Sequence, residues 1–259
     1  MAESVHGRVL WYELMTRDVK GAEAFYTDVV GWSVSPFEGS SPEGYYGVWS
    51  RKDGTGIGGV MAIPEGMTFP PHWGMYVGAP KLEEAVASIE RLGGGAVTGV
   101  IEVPQVGRMR TMRDPQGAAF SLLEPAMPGV PPDREPGIGD ASWHELYTSD
   151  PEAALKFYSE MFGWAPTEAL DMGPMGKYHM FGRGQGFGGG IMKKPAEMQA
   201  PPAFWGFYFR VPDVHAAVER VKAGGGQVLN GPMEVPGGDW VANCMDPQGA
   251  AFGLHHKKK

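Results

Sequence analysis

Cysteine is nearly missing from this chain of 259 residues: Cys244 stands alone. One thiol excludes an intramolecular disulfide framework and a multi-cysteine metal site. Basic runs are scarce too. The net charge is −8, and only the terminal Lys257-Lys258-Lys259 is a cationic cluster, which argues against nucleic acid as a partner. No apolar run reaches membrane-span length, and the N-terminus lacks a basic-then-apolar leader. No membrane partner is therefore expected, and the expected location is the cytoplasm. Glycine (40) and proline (23) are plentiful, as a chain with many short strands and turns requires. The 42% hydrophobic content is enough for two globular modules.

The chain repeats itself at an offset of 132 residues. Trp11-Tyr12-Glu13-Leu14-Met15-Thr16 returns as Trp143-His144-Glu145-Leu146-Tyr147-Thr148, and Asp114-Pro115-Gln116-Gly117-Ala118-Ala119-Phe120 returns as Asp246-Pro247-Gln248-Gly249-Ala250-Ala251-Phe252. Phe25-Tyr26, Gly31-Trp32, Trp73-Gly74 and Glu102-Val103-Pro104 recur at the same offset. A register held from first strand to last means one module was duplicated. The copies are too long for solenoid repeats, and each can hold its own core. The expected modules are residues 8–124 and 140–256. Between them runs a stiff, proline-rich linker, 125–139, with Pro125, Pro128, Pro131, Pro132 and Pro136.

Val9–Thr16 reads as a strand, and Asp18 as the N-cap of a helix that Gly31 stops. In the second copy Ser149-Asp150-Pro151-Glu152 supplies a capping residue, a first-turn proline and a glutamate. Strands, then a second strand and helix, then two or three further strands follow in each copy. The glycine runs 93–95 and 224–226 follow helices and so read as helix stops rather than phosphate loops. The fold class is α+β: two tandem modules, each of two βαβββ units forming a curved mixed sheet, or cup, flanked by helices.

Four βαβββ units in two modules, with the Phe-Tyr…Gly-Trp helix and the Asp-Pro-Gln-Gly turn, resemble the vicinal oxygen chelate superfamily. Its members include glyoxalase I, bleomycin-resistance proteins and extradiol dioxygenases. The likeness extends to two-module proteins of the glyoxalase and bleomycin-resistance kind that are poor in metal ligands. The resemblance implies metal ligands at fixed places. Here those places hold Trp11 and Trp143, Ser121 and Gly253, and residues near Gly74, Gly206, Met61 and Met192. None carries a carboxylate or an imidazole, which a divalent ion requires. No metal site and no cofactor are expected, and metal-assisted chemistry of the usual kind is in question.

Side chains alternate across a strand, so Trp11, Glu13 and Met15 share a face, as do Gly74, Tyr76 and Gly78, and Ala119, Ser121 and Leu123. The second copy gives Trp143, Glu145 and Tyr147; Gly206, Tyr208 and Arg210; and Ala251, Gly253 and His255. These sets are aromatic, with small residues making room and one carboxylate inside, as in pockets for flat organic ligands. The candidate ligand-binding residues are Trp11, Tyr76, Ser121, Trp143, Tyr147, Tyr208, Arg210 and His255. Glu13 and Glu145 are candidates for an anchor or a general base, against the plainer reading of structural acids. His144 reads as a core or edge histidine, because it points away from Glu145. Considered on its own, the terminal His255-His256 pair reads as a frayed tail. No serine has a histidine and aspartate at a recognisable spacing, so no nucleophile triad is expected.

These features suggest metal-independent binding of a small aromatic or carbonyl-bearing molecule, serving resistance, sequestration or detoxification. The precedent is the bleomycin-resistance branch of the resembled family. The rival reading is a lyase or isomerase of the glyoxalase type with Glu145 as base, with or without a non-standard divalent metal. The expected partner is a small molecule, and the expected state is a monomer or homodimer.

Overall fold

The computed structural model describes residues 4–38, 44–127, 134–184, 186–198 and 200–258. Pro128, Pro131 and Pro132 of the expected linker, and Lys259 of the tail, lie outside the described residues. The chain opens with β1 (Val9–Thr16), α1 (Val19–Val29), β2 (Ser33–Pro36), β3 (Tyr46–Ser50) and β4 (Gly56–Ala62). Next come β5 (His72–Gly78), α2 (Leu82–Arg91), β6 (Gly95–Ala96), β7 (Ile101–Val103), β8 (Gly107–Arg113) and β9 (Ala119–Pro125). The second copy opens with β10 (Ala141–Thr148), α3 (Pro151–Phe162), β11 (Ala165–Asp171), β12 (Lys177–Arg183) and β13 (Phe187–Lys193). It ends with β14 (Phe204–Arg210), α4 (Val214–Ala223), β15 (Gln227–Glu234), β16 (Trp240–Met245) and β17 (Ala251–His256). Strands β1–β9 belong to a nine-stranded mixed sheet and β10–β17 to an eight-stranded one. This is the expected α+β class with tandem repetition.

Local chemistry sets the helix ends. The side chains of Asp18, Asp150 and Asp213 accept from the backbone N–H three residues on, at 2.9, 3.0 and 3.1 Å. Of the Ser149–Glu152 segment, the capping residue is Asp150. Gly163 ends α3 in the left-handed region (φ 68°), where a Cβ would be strained. Strands β2 and β11 are mostly exposed and carry Pro36 and Pro166, which explains their weak alternation in the sequence. The His255-His256 pair is not a frayed tail: it closes β17, and His255 is only 7% exposed. Antiparallel pairing along the whole of β16 holds it there.

The chain packs as two compact units. One holds the residues up to Leu10 together with Gly74–Glu135 and His144–Trp205; the other holds Trp11–Trp73, Pro136–Trp143 and the residues from Gly206 on. Each unit therefore joins the opening half of one copy to the closing half of the other. In the first, α3 buries Phe157, Tyr158 and Phe162 around Phe120 of β9, with ring centroids 5.7–6.4 Å apart. Tyr158 Oη donates to Asp114 (3.0 Å) and accepts from Trp205 Nε1 (3.1 Å). In the second, α1 sets Phe25 and Tyr26 against Phe252 of β17. There Tyr26 Oη donates to Asp246 (3.1 Å) and accepts from Trp73 Nε1 (2.9 Å).

These contacts explain the Asp-Pro-Gln-Gly repeat. Asp114 Oδ1 accepts from the N–H groups of Gln116 and Ala118, and Asp246 Oδ1 from those of Gln248 and Ala250. One carboxylate thus closes the turn and also receives a tyrosine from the other copy. Burial raises the pKa of both carboxyls, despite these hydrogen bonds.

Candidate functional site

Within the second unit, β1 pairs in parallel with β4, and β4 with antiparallel β3. Glu13 stands level with Gly59, and Gly59 level with Val48. A Cβ on Gly59 would overlap the Tyr46 ring. The glycine therefore leaves a gap through which Tyr46 lies across the sheet and donates from Oη to Glu13 Oε2 (2.9 Å). Trp11 Nε1 donates to the same Tyr46 oxygen (2.8 Å). The result is a line of donors, indole to phenol to carboxylate. Glu13 itself is 8% exposed.

The first unit repeats the device. Glu145 stands level with Gly190, and a Cβ there would overlap the Tyr178 ring. Tyr178 Oη donates to Glu145 Oε1 (2.9 Å). Tyr147, which replaces Met15 of the first copy, donates to Glu145 Oε2 (2.5 Å) and stacks on Phe204 at 5.0 Å and 17°. Glu145 thus receives one phenol on each oxygen, and such charge-assisted bonds are the stronger kind.

The other predicted residues fall into two further groups. Tyr76 is in register with Ser121, whose Oγ is 3.0 Å from Thr111 Oγ1. In the second unit Tyr208 is in register with Gly253 and Arg210 with His255, so Tyr208 and His255 share a face. The Tyr208 ring lies where a Gly253 Cβ would be. Arg210 Nη1 donates to Pro136 O (2.5 Å). Trp143 is half-buried on β10. His144 is a core histidine: it is 2% exposed, sits at 2.9 Å from Gly188 O through Nδ1, and packs on Phe187. Burial lowers its pKa to about 4. Two clefts of about 400 and 460 Å³ lie elsewhere, one beside Trp32, Arg51 and Arg220, the other beside Lys81, Ser88 and Arg91.

Four participants escaped the sequence reading. Tyr46 and Tyr178 recur at the repeat offset, and the glycine pairs in β4 and β13 were the signal that something bulky crosses those strands. The other two, Ser142 and Asp239, correct the expectation that no serine finds a histidine and an aspartate. Ser142 Oγ lies 2.7 Å from His255 Nδ1, and His255 Nε2 lies 2.9 Å from Asp239 Oδ2. Spacing along the chain could not reveal this arrangement, because β10, β17 and the turn before β16 bring it together. The backbone bond from Arg210 N to Asp140 O places Ser142 beside Tyr208, whose carbonyl its hydroxyl also reaches (3.3 Å).

The donor set does not fit a divalent cation. Among the described residues no three His, Cys, Asp or Glu side chains converge. Around Glu13 and Glu145 the neighbours are O–H and N–H donors, which point protons rather than lone pairs toward the carboxylate.

Residues 141–254 match the family model of the Glyoxalase/Bleomycin resistance protein/Dioxygenase superfamily. Over 257 residues the chain is 29% identical to "Putative glyoxylase CFP32" of Mycobacterium tuberculosis, covering 98% of this chain and 96% of that protein. It is 28% identical to "Anthracycline biosynthesis protein DauV" of Streptomyces sp. (strain C5), covering 98% and 94%. The Mn(II)-bound glyoxalase from Novosphingobium aromaticivorans shares the fold, with a TM-score of 0.64 at 15% identity, covering 98% of this chain and 83% of that one. The second copy thus matches the Glyoxalase/Bleomycin resistance protein/Dioxygenase superfamily, and the chain as a whole has the fold of the glyoxalase it resembles.

Proposed function

We propose that the protein binds a small, planar, hydroxyl- or carbonyl-bearing aromatic molecule without a metal ion, in resistance, sequestration or detoxification. The observation that carries this reading is the duplicated glutamate whose carboxylate is held by tyrosines lying across a glycine. Such a carboxylate can accept a ligand hydroxyl as a tyrosine swings away, while the phenols can donate to a ligand carbonyl. Trp11 and Tyr147 supply flat apolar surface beside these polar groups, the combination small-molecule sites use. The likeness to a protein named for anthracycline biosynthesis favours a polycyclic quinone or phenol as the ligand class.

Titrating the protein with a panel of hydroxyquinones and dicarbonyls, read by tryptophan fluorescence, tests the reading. Saturable quenching is expected, weakened about tenfold or more by Glu145→Gln or Glu13→Gln, the loss of one charge-assisted hydrogen bond. Absence of quenching across the panel would overturn it. Stoichiometric Zn, Ni, Fe or Mn in gently purified protein, lost on Glu145→Ala, would instead establish the metal-dependent lyase or isomerase reading.

A further inference from the structure

The line formed by Ser142, His255 and Asp239 uses none of the groups assigned above to the glutamate–tyrosine pairs. Its place in the first copy is apolar: Leu10, Leu123 and Gly107 stand where Ser142, His255 and Asp239 stand in the second. Three polar groups thus occur together where the same framework otherwise uses packing alone. Ser142 is 8% exposed and His255 7%, so their polar atoms cost desolvation that hydrogen bonds to each other, to Asp239 and to Tyr208 O offset. The Asp239 side chain is 29% exposed and opens the line toward solvent.

The protons have a defined arrangement. Burial alone would raise the Asp239 carboxyl, but bonds from His255 and the Lys258 N–H bring it below the usual range, so it is ionised. An ionised carboxylate accepts, so His255 carries its proton on Nε2 and turns the Nδ1 lone pair to the Ser142 hydroxyl. Burial, against the pull of Asp239, keeps the His255 ring neutral at pH 7. This is the nucleophile, base and orienting carboxylate order of acyl-transfer enzymes, with the ring turned so that Nδ1 is the base.

We propose that Ser142 is an acylatable nucleophile, with His255 as its base and Asp239 as the positioning residue, and that it takes activated aryl esters. Ser142 Oγ attacks the ester carbonyl carbon, the bond from that carbon to the aryl oxygen breaks, and the Oγ proton passes through His255 Nδ1 to the departing phenolate. Water then releases the acid by the same proton route. An aryl ester is the favoured class because its phenolate leaves readily. This site is independent of the proposed ligand site.

The test is exposure of the full chain to a fluorophosphonate probe and to p-nitrophenyl acetate, with the modified residue mapped by mass spectrometry in the unaltered protein. One adduct per chain on Ser142 is expected. Its rate should rise with pH along a single titration, fall by at least tenfold in Asp239→Asn, and vanish in Ser142→Ala and His255→Gln. Native near-UV circular dichroism in each variant separates lost chemistry from lost fold. No adduct on Ser142 in the folded wild-type protein, or an adduct rate unchanged in His255→Gln, overturns the proposal.

Discussion

Replacing Gly190 by alanine tests the glutamate–tyrosine device with a single methyl group. Gly190 lies in β13, level with Glu145, and its φ is not in the left-handed region. At such a position Gly→Ala alone stabilises a protein by about 0.4–1 kcal/mol, through the unfolded chain. Here the new Cβ would overlap Cζ and Oη of Tyr178. The ring must swing aside, and its 2.9 Å bond to Glu145 is lost. Crowding of this kind costs roughly 1–3 kcal/mol. A hydrogen bond to a charged group adds about 1.5–3 kcal/mol. After the unfolded-state gain, a net loss of about 2–5 kcal/mol is expected, a large share of a typical 5–15. For a chain of this size, that lowers Tm by roughly 4–20 °C. Urea unfolding followed by tryptophan fluorescence on wild type, Gly190→Ala, Tyr178→Ala and the double variant gives the answer. In the Tyr178→Ala background the added methyl group should be neutral or stabilising. Equal cost in both backgrounds, or a stabilising Gly190→Ala single variant, would refute the reasoning.

Two other predictions concern the core. His144 titrates near 4 because burial disfavours its charged form. Its contribution is therefore complete above the unfolded value of about 6.5 and is lost as pH falls toward 4, at up to about 1.4 kcal/mol per pH unit. Denaturant midpoints across that window should be flatter in His144→Gln than in wild type, and parallel curves would contradict the assignment. The raised carboxyls of Asp114 and Asp246 act with the opposite sign: their contribution is full below about 3.9 and is lost as pH rises through their folded values. Residues 8–124 expressed alone should not unfold cooperatively as a monomer, since α1 would lack Asp246 and Phe252 and Asp114 would lack Tyr158. A monomeric species on size exclusion with a sharp thermal transition would show that each copy is self-sufficient.

The duplication, the four helices, the Asp18 cap and the α+β class were legible before any coordinates, because they rest on local chemistry. A cap needs a side chain three residues from an N–H, and a strand face needs only alternation. Alternation also identified Glu13 and Glu145 and kept His144 apart from them. Hydrogen bonds across strands were not legible. Tyr46 reaches Glu13 only because β3, β4 and β1 lie in one particular register with a glycine between them, and a shift of one residue would turn the phenol to the other face.

The sequence by itself therefore determined which side chains each element presents, down to one carboxylate in each copy. Only the tertiary structure decided what those side chains meet. It paired each opening half with the closing half of the other copy, through Tyr26 with Asp246 and Tyr158 with Asp114. It also set Ser142 against His255 and Asp239, although these residues stand more than a hundred positions apart along the chain at one end of the line. Periodicity is written residue by residue, whereas contact between distant segments follows from ladder register and helix packing, which no single segment encodes.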